Sequence, residues 1–523
     1  MQTSDAVENP INRILIANRG EIAVRVMQSC KELGIKTVAV YSTADRNMPH
    51  VLMADDAVEI GPPEANASYL NIDRIIDACH QTGADAVHPG YGFLSENAQF
   101  AQRLAEKGIT FIGPRPETMH QMGDKIRARQ LMEANGVPVV PGFAPGAEQT
   151  SMDTFRTEAN RIGYPVMIKA SAGGGGRGMR VVTSEKELAD AIDSARREAA
   201  NAFGDDTIFM EKFVQAPRHI EIQVFGDRHG NIVHLFEREC SIQRRHQKII
   251  EESPSPALDD ATRTVMADAA VKAARAVNYE GAGTVEFIYS DVDQSFFFLE
   301  MNTRLQVEHP VTELVTNRDL VAEQIRVARG ERLSFAQHDL KQTGHAIEVR
   351  LYAEDPMRNF LPATGKIHKF AASTRPGVRV DAGITDGSEI SIYYDPMIAK
   401  IIVHHPGDRS AAVDLMRQAL HDTVLFGPAN NLDFLRDVLA HKEFRAGRFT
   451  THFIAEHFPT YRGAQVTPDL REIARLSAGL VFFHGGSRLH EEDRRKQERQ
   501  AVAAGGGDLA PWFDLEGFEL WSD

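Results

Sequence analysis

Two glutamates and an asparagine have the spacing of a metal site. From residue 281 the chain reads as a long β-hairpin, GTVEFIYSDVDQSFFFLEMN, with Glu286 on its first strand and Glu300 on its second. These two side chains can face one another, and Asn302 shares the face of Glu300 because strand side chains alternate with a period of two. Two carboxylates and an amide oxygen suit Mg²⁺, or Mn²⁺, bridging phosphates. The alternative is a solvated strand face with the glutamates outward.

The segment that follows the hairpin, EMNTRLQVEHP, adds a cation, an amide and an acid. If the chain stays extended, Arg304, Gln306 and Glu308 share the parity of Glu300 and Asn302. The spacing then predicts a metal ligand, an anion binder and an acid–base group along one edge. The alternative is that Arg304 and Glu308 merely pair with each other.

A glycine-rich stretch, KASAGGGGRGM, predicts a phosphate-binding lid. Lys169 stands at a strand end, and the backbone amides that follow can approach a polyphosphate because their residues lack side chains. These residues are Gly173, Gly174, Gly175 and Gly176. No GK[ST] follows, so this is not a Walker motif, and a flexible turn remains the alternative.

A basic run, CSIQRRHQKIIEE, stands out in an acidic chain. It carries Gln243, Arg244, Arg245, His246 and Lys248. On its own, such a cluster is usually a solvated face. The cluster would have a chemical role if it lay near the other candidate groups.

Strands alternate with helices in the first part of the chain. The apolar pattern predicts strands at 13–17, 37–41, 86–88 and 110–112, and helices at 21–33, at 72–82 and after Ser95. This order is typical of a doubly wound parallel sheet. The first turn, ANRGEIA, lacks the GxGxxG spacing, so a nicotinamide-binding oxidoreductase is disfavoured.

The 523 residues predict several domains. We expect an α/β unit at 1–123, a second unit at 124–337 with a lid at about 141–213, a mixed α+β unit at 338–460, and a helical or flexible tail at 461–523. The tail holds the charged run EEDRRKQERQ, an AAGGGD link and both tryptophans.

Composition indicates a globular protein that binds neither nucleic acid nor membrane. Lys and Arg number 58 against 73 Asp and Glu, a net charge of −15. Cys30, Cys79 and Cys240 form no CxxC pair, so neither a zinc site nor a disulfide framework is expected. The first residues resemble no signal or transit peptide, and no apolar run is long enough for a membrane helix. We therefore expect a cytoplasmic protein.

Several long motifs occur in an order that resembles the biotin carboxylase family of the ATP-grasp superfamily. They are HPGYGFLSENA, GDK, KASAGGGGRGM, EK, RHIEIQ, ERECSIQRRHQK, EMNTRLQVEHPVTE and RLYAEDP. The resemblance covers about residues 10–460. It departs from the family at Ala172, where members often have glycine, but four glycines remain. It implies a preATP-grasp unit, an ATP-grasp unit with the glycine-rich lid, and a C-terminal unit that completes the active site.

The resemblance also implies roles for individual residues. Arg304, Gln306 and the Val307 amide would bind bicarbonate, Glu308 would take its proton, and Arg350 would stabilise the biotin enolate. Glu286, Glu300 and Asn302 would hold Mg²⁺, and Lys248 would position phosphate. Tyr91 and Gly92 would border biotin. The ATP contacts would be Lys125, Lys169, the four lid glycines, Glu211, Lys212, Val214, His219, Gln243 and His246.

The family's chemistry requires ATP, Mg²⁺, bicarbonate and a biotin carried by another domain. No AMKM biotinylation motif occurs, so the carrier would be a separate protein or would lie beyond Asp523. A carboxyltransferase subunit and a homodimer or larger complex would be partners. The tail's PWFDLEGFELWSD weakly resembles the linker entry of acyl-CoA carboxylase α subunits, which favours acetyl-, propionyl- or methylcrotonyl-CoA as acceptor over pyruvate.

Other enzymes and one other class of protein remain alternatives. A carbamoyl-phosphate synthetase half and a purine-pathway carboxylase also activate bicarbonate, but EVRLYAEDP with Arg350 favours a biotin acceptor, and no duplicated half is present. A biotin carboxylase that serves pyruvate carboxylase is a second possibility. The third is a non-catalytic ATP-grasp scaffold, against which stands the presence of every chemical residue that can be matched.

Overall fold

The computed structural model describes residues 10–463, except 144–150, 171–178, 204–205 and 246. The side chains of residues 125, 126, 170, 202 and 203 are also not described. The predicted lid glycines, His246, the Lys125 side chain and the tail from 464 onward therefore lie outside the described residues.

The first part of the chain forms the expected parallel sheet. Its strands are β1 (Arg13–Ile16), β2 (Lys36–Ser42), β3 (Asp56–Gly61), β4 (Ala86–His88) and β5 (Thr110–Phe111), in the order β3-β2-β1-β4-β5, and every pairing is parallel. The helices are α1 (Gly20–Glu32), α2 (Pro49–Met53), α3 (Ile72–Thr82), α4 (Ala98–Glu106) and α5 (Pro116–Gly123). The predicted doubly wound unit is confirmed.

Local sequence signals explain the ends of α3, which has the bounds that the apolar pattern predicts. The Asn71 side chain caps the helix by accepting a hydrogen bond from the Arg74 amide. Gly83 ends it in the left-handed conformation, φ 65°, which glycine adopts without a steric penalty.

A small antiparallel sheet follows, with its own apolar core. It contains β6 (Gly142–Phe143), β7 (Val166–Ala170), β8 (Arg180–Val182) and β9 (Ile208–Lys212), ordered β6-β9-β7-β8. The helices of this part are α6 (Lys125–Ala134), α7 (Met152–Ile162) and α8 (Glu185–Phe203). Phe155 of α7 and Ile192 of α8 are buried against the sheet.

The next elements carry most of the candidate site. They are β10 (Pro217–Gly226), β11 (Ile232–Arg244), β12 (Gln247–Ser253), α9 (Asp260–Ala276), β13 (Gly281–Ser290), β14 (Phe296–Asn302), α10 (His309–Thr316) and α11 (Leu320–Ala328). The predicted hairpin is confirmed as β13 and β14. The condition that the chain stays extended over 303–308 is not met, because the ladder stops at Asn302, the Thr303 amide donates to Glu96 Oε1 at 3.0 Å, and Glu308 occupies the N-cap position of α10.

The remaining elements form the last part of the described chain. The strands are β15 (His345–Tyr352), β16 (Glu354–Asp355), β17 (Leu361–Pro362), β18 (Gly365–Lys366), β19 (Lys369–Ala371), β20 (Val378–Ala382), β21 (Glu389–Ile390), β22 (Met397–His405) and β23 (Val424–Phe426). The helices are α12 (Arg409–Asp422), α13 (Leu432–Ala440), α14 (Lys442–Arg445) and α15 (Phe453–His457).

One antiparallel sheet joins the middle of the chain to its last part. Within the described residues it has eight strands, ordered β14-β13-β10-β11-β12-β15-β22-β20. Strand β15 pairs with β12, so one continuous sheet contains strands from both sides of the unit boundary expected between residues 337 and 338. Residues far apart in sequence can therefore stand side by side on one face. Among the described residues no helix is both long and apolar enough to span a bilayer.

The close backbone packing of this sheet can be tested at Gly226, because a Cβ added there would overlap the carbonyl oxygen of Tyr279. Gly226→Ala should cost about 1–3 kcal/mol of stability, since backbone cannot yield as a side chain can. The matched control is Gly123→Ala, where an added Cβ meets nothing within 4 Å. Thermal unfolding of both variants measures the difference, and equal midpoints would contradict the close approach.

Candidate active site

The candidate site is built around one buried ammonium group. Lys248 Nζ of β12 donates to Glu221 Oε2 at 2.6 Å, Glu308 Oε1 at 2.7 Å and Glu286 Oε1 at 2.8 Å. All three carboxylates are buried. Lys248 belongs to the basic run CSIQRRHQKIIEE, which on its own would usually be a solvated face. The structure instead places its charge at the centre of the cluster.

Strand register brings the charged groups into a row. Glu300 is paired with Glu286 across β14 and β13, Glu286 with Glu221 across β13 and β10, and Glu221 with Arg238 across β10 and β11. Directly paired residues project on the same side of a sheet. The predicted facing of Glu286 and Glu300 is confirmed, and the alternative of a solvated face fails because only 6% of Glu286 is exposed.

The cluster keeps Glu286 and Glu308 ionised. Burial alone would raise the pKa of Glu286, but Lys248 and His219 outweigh it and hold this pKa well below its ordinary value. Burial likewise opposes ionisation of Glu308, whose pKa is held well below its ordinary value by Lys248, Arg350 and Arg238. The pKa of Lys248 is raised well above its usual range because its carboxylate partners outweigh burial.

Asn302 and Gln306 converge on the same carboxylate. Asn302 Nδ2 donates to Glu286 Oε1 at 2.9 Å, and Gln306 Nε2 donates to this oxygen at 3.1 Å. His219 Nε2 lies 3.0 Å from Glu286 Oε2. An ionised carboxylate, the paired Glu300 and the amide oxygen of Asn302 form a hard oxygen donor set of the kind Mg²⁺ prefers. The donor chemistry therefore fits the predicted cation.

Glu308 lies between two cations. Its Oε1 accepts from Lys248, and its Oε2 accepts from Arg350 Nη2 at 3.0 Å. Arg350 of β15 also donates through Nε to Glu251 Oε1 at 2.7 Å. Burial raises the pKa of Glu251 to about 7 against the opposing charge of Arg350. The predicted base and the predicted enolate stabiliser are thus in direct contact.

Arg304 does not pair with Glu308. Its Nε donates to Glu96 Oε2 at 2.9 Å, and its Nη2 donates to Asn302 Oδ1 at 3.0 Å. The alternative of an isolated Arg304–Glu308 pair is therefore wrong. The guanidinium lies beside the candidate metal ligand and is tethered to the segment that precedes α4.

The expected nucleotide contacts fall into two groups. In the first, Gln243 Nε2 donates to His219 Nδ1 at 2.7 Å, beside the acidic row. In the second, Lys169 Nζ forms an ion pair with Glu211, which also accepts from Arg129 at 3.0 Å. Val214 is buried, and Lys212 Nζ donates to the Gly163 carbonyl at 2.9 Å.

The expected biotin-binding loop lies near the C-terminal part of the same sheet. The Tyr91 carbonyl accepts from Asn18 Nδ2 at 2.7 Å, and Lys400 Nζ lies 5.9 Å from the centre of the Tyr91 ring. The Tyr91 hydroxyl is buried without a hydrogen-bond partner among the described residues. Gly92 is exposed and has a left-handed φ of 68°.

Four charged residues of the cluster were missed by sequence reasoning, namely Glu96, Glu221, Arg238 and Glu251. A signal existed for one of them, because Glu221 alternates with Ile220 and Ile222 in RHIEIQ and so lies opposite their apolar face. Arg238 is fully buried, and its guanidinium donates to Glu221, Gln223, Thr284, Gln306 and Thr312.

Arg238→Met tests the charge balance of this row. Removing one partner of a buried pair leaves Glu221 with less compensation and should cost about 3–5 kcal/mol. The control is Arg103→Met, which breaks a surface pair with Asp73 and should cost about 1 kcal/mol or less. Urea unfolding compares the variants. Midpoints lowered equally would mean that the buried pair stabilises the fold no more than the surface pair does, which would contradict this prediction.

Three family models match most of the described chain. Residues 10–119 match the family model "Biotin carboxylase, N-terminal domain", and residues 348–456 match "Biotin carboxylase C-terminal domain". Residues 124–336 match "Carbamoyl-phosphate synthase L chain, ATP binding domain".

Curated relatives include α subunits of two carboxylases. The chain is 52% identical to the propionyl-CoA carboxylase α chain of Ruegeria pomeroyi over 90% of its own length and 72% of the relative's. It is 50% identical to the methylcrotonoyl-CoA carboxylase subunit α of Arabidopsis thaliana, over 91% of its own length and 65% of the relative's. The chain thus spans about two thirds of the length of these relatives.

Solved structures show the same architecture. The biotin carboxylase domain of the Hydrogenobacter thermophilus 2-oxoglutarate carboxylase, in complex with MgADP and bicarbonate, is 45% identical with a TM-score of 0.78, covering 87% of this chain and 99% of that one. A Campylobacter jejuni biotin carboxylase, described as a β-γ-ATP complex, is 46% identical, also with a TM-score of 0.78, covering 87% of this chain and 100% of that one. The shared sequence, domain order and fold show that this chain belongs to the biotin carboxylase family.

Proposed function

We propose that this chain carboxylates biotin on a carrier domain, using ATP and bicarbonate, and that it serves an acyl-CoA carboxylase. The observation that carries the proposal is the placement of Glu308 between Lys248 and Arg350 in the buried charge cluster. A base for bicarbonate and a cation for the biotin anion then share one site. Such a site can serve both consecutive reactions, the activation of bicarbonate and the transfer of its carboxyl group to biotin.

In the first reaction bicarbonate attacks ATP. Arg304, Gln306 and the Val307 amide bind the anion, and Glu308 removes its proton. The bicarbonate oxygen forms a bond to the γ-phosphorus while the bond to ADP breaks, which gives carboxyphosphate. Glu286, Glu300 and Asn302 would hold Mg²⁺, which would supply positive charge to offset the crowded phosphate oxygens.

Anion binding resolves a difficulty with Glu308 as the base. A carboxylate whose pKa is held far below neutrality is ionised but binds a proton weakly. The phosphates of ATP compete with Glu308 for Lys248, and any weakening of the Lys248–Glu308 contact raises the pKa of Glu308. The base therefore gains proton affinity when its substrate is present.

In the second reaction carboxyphosphate breaks down to CO₂ and phosphate. Phosphate, positioned by Lys248, takes the proton of the biotin ureido nitrogen. That nitrogen then attacks CO₂, and Arg350 stabilises the negative charge on the ureido oxygen as a preorganised cation. Tyr91 and Gly92 border the ring. Exclusion of water protects carboxyphosphate from hydrolysis.

The nucleotide site and the domain limits are part of the same proposal. Lys125, Lys169 and the lid glycines bind the phosphates, while Glu211, Lys212 and Val214 meet adenine, and His219, Gln243 and His246 complete the site. The units are 1–123, 124–337 with the lid at 141–213, 338–460 and the tail. The matched ranges of the family models support these limits.

The acceptor and the partners rest on the relatives. Identities near 50% to propionyl- and methylcrotonoyl-CoA carboxylase α subunits favour an acyl-CoA acceptor over pyruvate. We infer a separate or linked biotin carrier, a carboxyltransferase and a homodimer or larger complex as partners. We assign the protein to the cytoplasm, in keeping with its three buried free cysteines.

The acceptor can be identified by reconstitution. Mixing this chain with the carrier and carboxyltransferase that co-purify with it, and supplying acetyl-, propionyl- or methylcrotonyl-CoA or pyruvate with labelled bicarbonate, should transfer label to an acyl-CoA. Label appearing only in the pyruvate product would contradict the assignment.

Glu286→Gln and Glu300→Gln test the metal site. Loss of one negative ligand weakens Mg²⁺ binding, so each variant should require a higher Mg²⁺ concentration for half-maximal ATP cleavage. The control is Glu117→Gln, a change at an exposed residue of α5, which should behave as wild type. Titration of activity with Mg²⁺ makes the comparison, and an unchanged Mg²⁺ requirement in both site variants would refute the ligand set.

Glu308→Gln and Arg350→Gln should fail at different steps. A positioned base contributes about 10²–10⁴-fold, so Glu308→Gln should lower every bicarbonate-dependent step by that order while ATP still binds. Arg350→Gln should damage biotin carboxylation far more than bicarbonate-dependent ATP cleavage without biotin, because its charge acts on the biotin anion.

Both reactions are measured in both variants, with Arg358→Gln, an exposed arginine, as control. The assignment of roles would be wrong if Glu308→Gln cleaved ATP normally with bicarbonate. It would also be wrong if Arg350→Gln lost the two reactions equally.

A further inference from the structure

We propose that Lys400 is a positioning residue of the bicarbonate site, and that it acts through the backbone of Val307 and Glu308. The inference rests on the proposed function, because it presumes that bicarbonate binds at this turn. Lys400 has no part in the roles assigned above. It belongs to β22, a strand of the C-terminal part of the chain.

The contact that carries the inference is a buried hydrogen bond. Lys400 is 0% exposed, and its Nζ donates to the Val307 carbonyl at 2.8 Å. The two residues are 93 positions apart in sequence. A fully buried ammonium group directed at a backbone carbonyl is costly unless it is paired, so this geometry is unusual for a lysine that only fills space.

The strand register explains how Lys400 reaches the turn. It is paired with Arg350 on β15 and with Asp381 on β20. Paired residues project on one side of the sheet, so Lys400 and Arg350 approach the start of α10 side by side. Arg350 contacts the Glu308 carboxylate, and Lys400 holds the peptide group that leads into Glu308.

Two consecutive peptide groups of the turn are fixed in this way. His309 Nδ1 lies 2.7 Å from the Gln306 carbonyl, and the peptide that contains this carbonyl also contains the Val307 amide. The Val307 carbonyl belongs to the next peptide, which ends at Glu308. Because a peptide group is planar, fixing its carbonyl fixes its amide. His309 therefore orients the amide proposed to bind bicarbonate, and Lys400 sets the backbone of the proposed base.

Nearby carboxylates keep the ammonium charged. Lys400 Nζ lies 3.4 Å from Glu21 Oε2 and 3.6 Å from Asp381 Oδ2. Burial lowers the pKa of Lys400, but Glu21, Glu348 and Asp381 outweigh it and raise this pKa. A purely structural role would consist of neutralising these carboxylates. The experiment must separate that role from positioning.

Lys400→Met removes the donor and keeps most of the side-chain volume. Loss of a hydrogen bond from a charged group predicts a fall of about tenfold to a hundredfold in kcat/KM for bicarbonate. The KM for ATP should stay within about twofold of wild type, because Lys400 touches no proposed ATP ligand. Lys400→Arg keeps a cationic donor and should recover part of the loss. Bicarbonate-dependent ATP cleavage without biotin is the assay.

The variant Lys400→Met can destabilise the fold by leaving Glu21 less well compensated, so it is also made with Glu21→Gln. The single variant Glu21→Gln is the control, since Glu21 does not contact Val307. Thermal unfolding is measured for every variant. If positioning is the role of Lys400, the double variant remains slow with bicarbonate while Glu21→Gln alone behaves as wild type.

Two results would overturn the inference. One is full recovery of kcat/KM for bicarbonate in the double variant, which would mean that Lys400 only neutralises Glu21. The other is an unchanged value in Lys400→Met. A wild-type protein whose ATP cleavage does not respond to bicarbonate would instead overturn the proposed function, so the two failures can be distinguished.

Discussion

The site depends on the cost of burying carboxylates. Glu221, Glu286 and Glu308 all contact one ammonium group, Lys248, in a region from which most water is excluded. Carboxylates buried in this way stay ionised only when paired and hydrogen-bonded. Arg238 and Arg350 supply the remaining charge from neighbouring strands. The cluster therefore offers cationic side chains that can bind anionic substrates, and carboxylates that can bind a divalent metal ion.

The eight-stranded sheet makes this balance possible. Its central strands carry the acidic row, while β15 and β22, which lie in the last part of the described chain, deliver Arg350 and Lys400. The pairing of β12 with β15 fixes the distance between Lys248 on β12 and Arg350 on β15. In the proposed mechanism, phosphoryl transfer to bicarbonate and carboxyl transfer to biotin would therefore occur side by side, so that CO₂ need not cross open solvent between the two steps.

Sequence patterns predicted local geometry well and long-range contacts poorly. The period of two placed Glu286, Glu300 and Asn302 correctly because it needs only a hairpin. It failed at 303–308, where the backbone turns into α10 and where tertiary contacts with Glu96 replace the ladder. The roles of Arg238 and Lys400 depend on strand registers that no local pattern encodes. The role of Arg350 was predicted from the family resemblance, because residue spacing alone does not distinguish it from the other arginines.

The most direct test of the account follows the oxygen atoms. If bicarbonate attacks the γ-phosphorus of ATP, one bicarbonate oxygen must remain on the phosphate that is released. We would supply ¹⁸O-labelled bicarbonate, quench before the label exchanges with water, and examine the phosphate by ³¹P NMR. The account predicts one ¹⁸O atom in each phosphate formed. Unlabelled phosphate, produced at the same rate as ADP, would show that water attacks ATP and would contradict the central claim.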